Sequence, residues 1–422
     1  MDSDSGKSGN GMKIIVTAST YPRWEHDKVP MFIHDQLIFF KKNYPDMEIT
    51  LLTPHHLGAR SYEKSDFGEI FRFKYFLPER FQCLTYPAIM QSLKKNRWLY
   101  LQIPFLFLFE FIMLLNLVIK RKPDYIYSHW FMPQGIVGGF VGLLTRTRHV
   151  YTSHSSDVML ARKLPLIGPF LVRFLTRRAH KITTVSVRSY NKLKDFFSDN
   201  QWREIKDKVC IIPMGVDTTA FYESNESNTQ RKEMLGYTGR NILLFIGRLV
   251  EKKGVIYILE ALKDYINKDP SVLLVVAGDG PEIDDLKRTA NRLQLDNHVD
   301  FIGYTVGDSK INLFRICDVV LLPSIITDDG DAEGFPVVLM EALAAGKICI
   351  VTDVSGADDV IEDNISGFLI RQKSAEAILK ALSHIQELSQ KEKDIIAGNA
   401  IRKSRMFNWD NIAKRHVDHL FN

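Results

Sequence analysis

The chain has 422 residues, 45% hydrophobic and 25% charged. That is ordinary globular composition with apolar area for two or three cores, and it excludes wholesale disorder, a fibrous repeat and a porin-like barrel. The formal net charge of +5 is unevenly spread: residues 1–220 carry 31 Lys/Arg against 19 Asp/Glu, and residues 221–422 carry 24 against 31. No nucleic-acid reading motif accompanies the basic half, so nucleic acid is not an expected partner and an anionic membrane surface suits the charge better. Four scattered cysteines (Cys83, Cys210, Cys317, Cys349) include no C-x-x-C pair. This argues against a disulfide framework or zinc knuckle and for a reducing, cytoplasmic setting.

Residues 1–11 are polar and Gly/Ser-rich with no apolar run, which predicts a disordered tail and no secretory signal. Strand-like runs then alternate with helical patterns. In the first half they fall at 13–18, 49–54, 124–129, 149–154, 181–187 and 208–214; in the second, at 241–247, 272–278, 299–303, 318–324, 348–354 and 367–370. Alternation of this kind predicts parallel sheets covered on both faces, and two successive sets predict two doubly wound α/β domains. The expected boundaries are a first domain over 12–220, a polar linker over 221–240 and a second domain over 241–406. A last amphipathic helix within 407–422 is expected to pack back on the first domain.

Two apolar segments stand out in the first half. Residues 98–119 (WLYLQIPFLFLFEFIMLLNLVI) contain one charge, Glu110, and one proline, Pro104. The segment reads as a buried helix, an interfacial one or a membrane span, and the sequence leaves the three open. Residues 160–181 mix Leu and Phe with six Lys/Arg, as either a membrane-surface contact or a solvated helix face would.

The chemistry concentrates at the carboxyl ends of strand runs, where open α/β sheets bind ligands. In Glu333-Gly334-Phe335-Pro336-Val337…Glu341…Gly346, proline belongs at a helix start and glycine just past its end. The free N–H groups of that start favour an anion. Two carboxylates eight residues apart along a helix axis lie on the order of 12 Å apart, too far for a retaining glycosidase pair, which needs about 5 Å. They would instead grip separate parts of one long ligand. Gly247-Arg248, followed by Lys253, presents two cations at a strand end, which suits a diphosphate. Gly278-Asp279-Gly280-Pro281 reads as a structural turn. In the first half, His154 with Asp157 follows one strand and His129 ends the strand before it, aiming two histidines at one rim.

The segments GRLVEKKG (247–254), AGDGP (277–281), EGFPVVLMEALAAG (333–346), IPMGVDTTAF (212–221) and SHSSD (153–157) together resemble glycosyltransferase family 4, the retaining nucleotide-sugar transferases of the GT-B fold. The TYPRWE and HWFMPQG segments also resemble those of polysaccharide and lipid-linked glycan enzymes in that family. The resemblance implies two Rossmann-like domains facing each other across a cleft. It implies that Glu333 holds donor-sugar hydroxyls, Glu341 the ribose hydroxyls, and Arg248 and Lys253 the diphosphate. His154 would then lie near the reacting centre, with Gly247, Gly334, Phe335, Pro336 and Val337 against the donor. His129, Asp157 and Arg23 are acceptor-side candidates. The chain departs from the family pattern at Ser155, where glycine is usual, in the first loop, which lacks a Gly-Gly pair, and at 355–359.

The expected activity is transfer of a hexosyl or N-acetylhexosaminyl group from a nucleotide sugar to a glycan or lipid-linked acceptor in cell-surface polysaccharide, lipopolysaccharide or glycolipid synthesis. A UDP-sugar is the first choice of donor and GDP-mannose the second. No metal and no further cofactor are expected, because the acidic run at 328–331 adjoins the sugar loop and not the diphosphate position. The rival readings are a sugar-nucleotide epimerase on the same fold and a non-catalytic transferase-like scaffold subunit.

Overall fold

The computed structural model describes residues 11–24, 27, 29–154, 156–162, 164–221, 228–328, 330–354 and 356–422. The tail expected over 1–11 lies outside them apart from Gly11, as do Ser155 and Ser355. The chain forms two compact units, 1–214 with 409–422 and 215–408.

The first unit is built on eight strands: β1 (Lys13–Thr17), β2 (Glu48–Pro54), β3 (Tyr62–Ser65), β4 (Gly68–Phe73), β5 (Tyr125–His129), β6 (Arg148–Ser153), β7 (Lys181–Thr184) and β8 (Val209–Ile211). Their order is β3-β4-β2-β1-β5-β6-β7-β8, and all pairings are parallel except β3 with β4. Period-two alternation sends successive β1 side chains to opposite faces. Ile14 and Val16 join a core with Ile33 and Leu37 of the Phe32–Asn43 helix and Val417 and Leu420 of the Trp409–Leu420 helix. Ile15 joins another with Leu114 and Leu117 of the Ile103–Arg121 helix and Val141 of the Ile136–Thr145 helix. The sheet is therefore covered on both sides, as its apolar strands require.

Only one stripe of the Ile103–Arg121 helix is buried: Leu106, Glu110, Leu114, Leu117 and Val118. The lone acid on that stripe accepts from Gln134 Nε2 (3.4 Å), and burial pushes its carboxyl up to about 8, so at neutral pH it sits in the core largely as the uncharged acid.

The second unit carries β9 (Asn241–Ile246), β10 (Val272–Ala277), β11 (Val299–Gly303), β12 (Val319–Leu322), β13 (Ile348–Thr352) and β14 (Phe368–Ile370), all parallel, in the order β11-β10-β9-β12-β13-β14. This is the dinucleotide-fold order, and its direction reverses between β9 and β12. The 221–240 stretch, expected as a linker, belongs to this unit and contains the Asn228–Met234 helix. Its polar composition serves attachment: Lys232 pairs with Asp318 (3.0 Å), and the Tyr237 hydroxyl donates to Asp300 (2.7 Å).

Candidate active site

In the second unit the loops after β9 and β12 flank the reversal point, where an open sheet leaves a crevice at its carboxyl edge. The β9 loop turns tightly, with Lys253 N–H donating to the Val250 carbonyl (2.8 Å). It closes on Gly254 at φ +66, where a Cβ would lie 2.1 Å from the Pro323 carbonyl oxygen. The same loop lies on the β10 loop, with Gly247 N–H donating to Ala277 O (3.0 Å) and Leu249 N–H to Asp279 O (2.9 Å). A Cβ on Gly278 would come 1.9 Å from the Gly247 carbonyl oxygen, so the Gly-Asp-Gly-Pro turn is a packing device.

This scaffold sets Lys253 against Glu333 in an ion pair across the reversal point, each side chain 18% exposed. Burial alone would raise the Glu333 carboxyl, but Lys253 and then Lys252 outweigh it and hold it below its ordinary value. Lys252 is itself paired with Asp331 (3.2 Å), and Asp328 with Lys373 (3.2 Å). The Arg248 guanidinium is half-buried, and desolvation lowers its pKa.

Phe335 is buried with its ring near Phe407, and Pro336 caps the Val337–Ala344 helix, which starts one residue later than the sequence pattern implied. Glu341 is the fifth residue of that helix. Its Oε1 accepts from Lys310 Nζ (2.6 Å) while its Oε2 is buried without a hydrogen-bond partner. The two glutamates thus answer to different lysines, as carboxylates gripping separate parts of a ligand would. Lys310 is a residue the sequence reading missed. Nothing in its local spacing marks it, because its partner lies on another helix.

In the first unit the corresponding reversal falls between β1 and β5. His154, just past β6, is partly exposed and ringed by Trp130 (5.0 Å between centroids) and Phe32 (5.4 Å), and its Nε2 lies 3.3 Å from His129 Nδ1. Burial lowers its pKa to about 3, so the ring is neutral at physiological pH. Trp130 holds a left-handed backbone (φ +69), a costly conformation for a bulky residue that clusters at functional sites.

The three acceptor-side candidates are all buried. Asp157 accepts from the N–H groups of Phe131 (2.6 Å) and His154 (3.1 Å) and from the Ser153 hydroxyl (3.1 Å), tying two strand-end loops together. His129 is fully buried beneath His154 and Tyr127. Arg23 is 4% exposed and donates to the Thr85 (3.0 Å) and Tyr21 (3.3 Å) carbonyls. These residues build the rim and do not themselves present groups to solvent. What the same loops do expose is Trp24, tilted against Tyr86 (5.6 Å between centroids) and His56 (6.1 Å). Among the described residues no cluster of His, Cys, Asp and Glu has a metal-holding arrangement.

The chain matches the family described as Glycosyl transferases group 1 over residues 226–402 and Glycosyltransferase Family 4 over residues 46–220. An uncharacterized glycosyltransferase of Methanocaldococcus jannaschii is 26% identical over 305 residues, 70% of this chain and 75% of that protein. The UDP-Gal:alpha-D-GlcNAc-diphosphoundecaprenol alpha-1,3-galactosyltransferase of Escherichia coli is 26% identical over 312 residues, 72% of this chain and 76% of that protein. The structure of HepE from Anabaena in complex with UDP shares the fold, with a TM-score of 0.71 at 18% identity over 97% of this chain and 99% of that one. The chain belongs to glycosyltransferase family 4 and has the GT-B fold.

Proposed function

We propose that this glycosyltransferase moves a hexosyl or N-acetylhexosaminyl group from a nucleotide sugar to a glycan or lipid-linked acceptor in polysaccharide or glycolipid synthesis. In this reading it acts in the cytoplasm, with retention of anomeric configuration and without a metal ion. The observation that carries the reading is the Lys253–Glu333 pair at the reversal point of the second sheet. A carboxylate kept ionised there can take sugar hydroxyls, and the ammonium beside it can face a diphosphate. Arg248 and Lys253 then stabilise the charge that develops on the departing diphosphate as its bond to the anomeric carbon breaks. The acceptor oxygen bonds to that carbon, and its proton leaves with the phosphate or to solvent. The open Oε2 of Glu341 takes a ribose hydroxyl.

A UDP-sugar is the first choice of donor and GDP-mannose the second. The Escherichia coli relative, named for UDP-Gal and a diphosphoundecaprenol-linked acceptor, supports both the base and the acceptor class. The test is nucleotide release from UDP-glucose, UDP-galactose, UDP-N-acetylglucosamine and GDP-mannose, with and without lipid-linked glycan and EDTA, with Glu333→Ala as control. Acceptor-dependent release that survives EDTA, with an axial product linkage by NMR, is expected. Donor conversion without release would make the protein an epimerase, and release restored only by a divalent ion would end the metal-free mechanism.

A further inference from the structure

The helical layer on one face of the first sheet is apolar on the outside as well as on the inside. On the Ile103–Arg121 helix, Phe105, Leu108, Phe109 and Ile112 are 40–50% exposed. Their i, i+3, i+4, i+7 spacing makes one stripe, opposite the buried one. The preceding turn adds Trp98, 78% exposed. This helix packs on the Ile136–Thr145 helix, which exposes Leu144, and that one packs on the Ile167–Arg178 helix, which exposes Ile167 and Phe170. The outer stripes therefore lie side by side on neighbouring helices. A helix of 19 residues is about 28 Å long, so the layer is far larger than the scattered apolar groups of an ordinary surface.

The charge around it is mostly of one sign, although Arg121 pairs with Glu69 and Arg177 with Glu204 (4.0 Å). Residues 94–181 hold 14 Lys/Arg and only three Asp/Glu, and two of the acids, Glu110 and Asp157, are buried. Lys94, Lys95 and Arg97 precede Trp98, Lys120, Arg121 and Lys122 end the first helix, and Arg177 and Arg178 end the third. Residues 94–181 thus carry nearly all the excess charge of the first half, and eight of their cations adjoin these apolar helices in the chain. A second copy of the chain would meet it through the same patch, cation against cation, and like-charge contact is unfavourable. An apolar plane rimmed by cations, with an exposed tryptophan at its edge, fits the headgroup region of an anionic bilayer.

We infer that the outer face of the Ile103–Arg121, Ile136–Thr145 and Ile167–Arg178 helices is a docking surface for an anionic lipid bilayer, on which these helices lie in the plane of the membrane. The inference needs no donor or acceptor and is tested without either. The full chain is floated with vesicles of phosphatidylglycerol and phosphatidylcholine at about one to two, and with phosphatidylcholine alone. It should rise with the first and stay down with the second. Raising NaCl from about 0.1 to 1 M, which cuts the Debye length from about 10 to 3 Å, should weaken binding. The double variant Leu108→Glu/Ile112→Glu should lower the partition coefficient by about tenfold or more, and Ile395→Glu on the second unit should leave it unchanged. An unaltered circular-dichroism melting midpoint certifies the variants, and Ile167→Glu on the neighbouring helix repeats the test should the double variant fold poorly. Three results would overturn the inference. Wild type could stay down with anionic vesicles. Folded stripe variants could bind like wild type. Light scattering could show a wild-type dimer that the stripe variants split.

Discussion

Glu341 and Lys310 meet at 2.6 Å from two different helices, 31 positions apart, and the carboxylate oxygen that Lys310 does not reach is buried with no partner. A buried lone pair without a donor costs free energy in the empty protein and is regained when a ligand hydroxyl arrives. Glu341→Gln keeps the shape but loses the charge. Under the proposed function with a UDP-sugar donor, it should weaken UDP binding about ten- to hundredfold, the worth of a hydrogen bond to an ionised group. Calorimetric titration checks this, and unchanged affinity would remove Glu341 from the nucleotide site. Lys310→Met strands a mostly buried charge and should lower stability by about 1–3 kcal/mol in chemical denaturation.

The state of Glu333 depends on a contest between burial and Lys253, which Lys253 wins. A carboxyl held below its unfolded value contributes stability above about pH 4.3, and that contribution is lost as pH falls through the folded value. In Lys253→Met, burial acts with only the more distant Lys252 against it, so the carboxyl should rise. Under the proposed function, the acid limb of kcat/KM should then move to higher pH, and kcat at neutral pH should fall about 10²- to 10³-fold with the loss of diphosphate stabilisation. Lys253→Arg keeps the charge and should restore the limb. A limb that does not move in Lys253→Met would separate the two residues functionally.

Strands such as NILLFI and VLLVVA were legible because parallel strands buried on both faces read as continuous apolar runs. The β3–β4 hairpin was not, because β3 (YEKS) is a half-exposed edge strand with no apolar face to reveal it. The glutamate pair could be found since Gly334 and Pro336 punctuate a helix start around it. Lys310 could not, because only tertiary structure brings its helix to Glu341. The burial of Arg23, an acceptor-side candidate, was hidden for a related reason: the backbone carbonyls of Tyr21 and Thr85 and the Tyr86 ring that take up its guanidinium are set by tertiary structure. The 98–119 segment was ambiguous because its buried and outward stripes are equally apolar, so composition alone conceals that they differ.

Asp157 holds the His154 loop by accepting from three donors at once. Asparagine there must turn an NH₂ toward at least one of those donors. Asp157→Asn should therefore cost about 2–4 kcal/mol and loosen the backbone at residues 153–157. Hydrogen exchange at His154 and Phe131 is the direct readout, and protection equal to wild type would show that the carboxylate does not fix the loop. Under the proposed function, a positioning role also predicts that kcat falls more than KM rises.

The first unit holds histidines and acids whose pH responses oppose each other. Burial lowers His149, His154 and His416 to about 3 and His129 well below its ordinary value. Unfolding returns each to about 6.5, so below that pH the unfolded chain takes up protons that the folded one refuses, and each histidine removes about 1.4 kcal/mol of stability per pH unit. Glu110, raised to about 8, and Asp157, also raised by burial, act in the other direction. Their folded forms keep protons that the unfolded chain sheds, so they add stability as pH falls toward about 4. From pH 7 to 5.5 the three histidines near 3 should remove about 4 kcal/mol and Glu110 return about 2. Glu110→Gln should therefore steepen the acid loss by about 2 kcal/mol, and His416→Gln should flatten it by about 1 kcal/mol. Denaturant unfolding at the two pH values measures both differences. If both variants tracked wild type, the histidines and the glutamate would not be buried in the protonation states this structure requires.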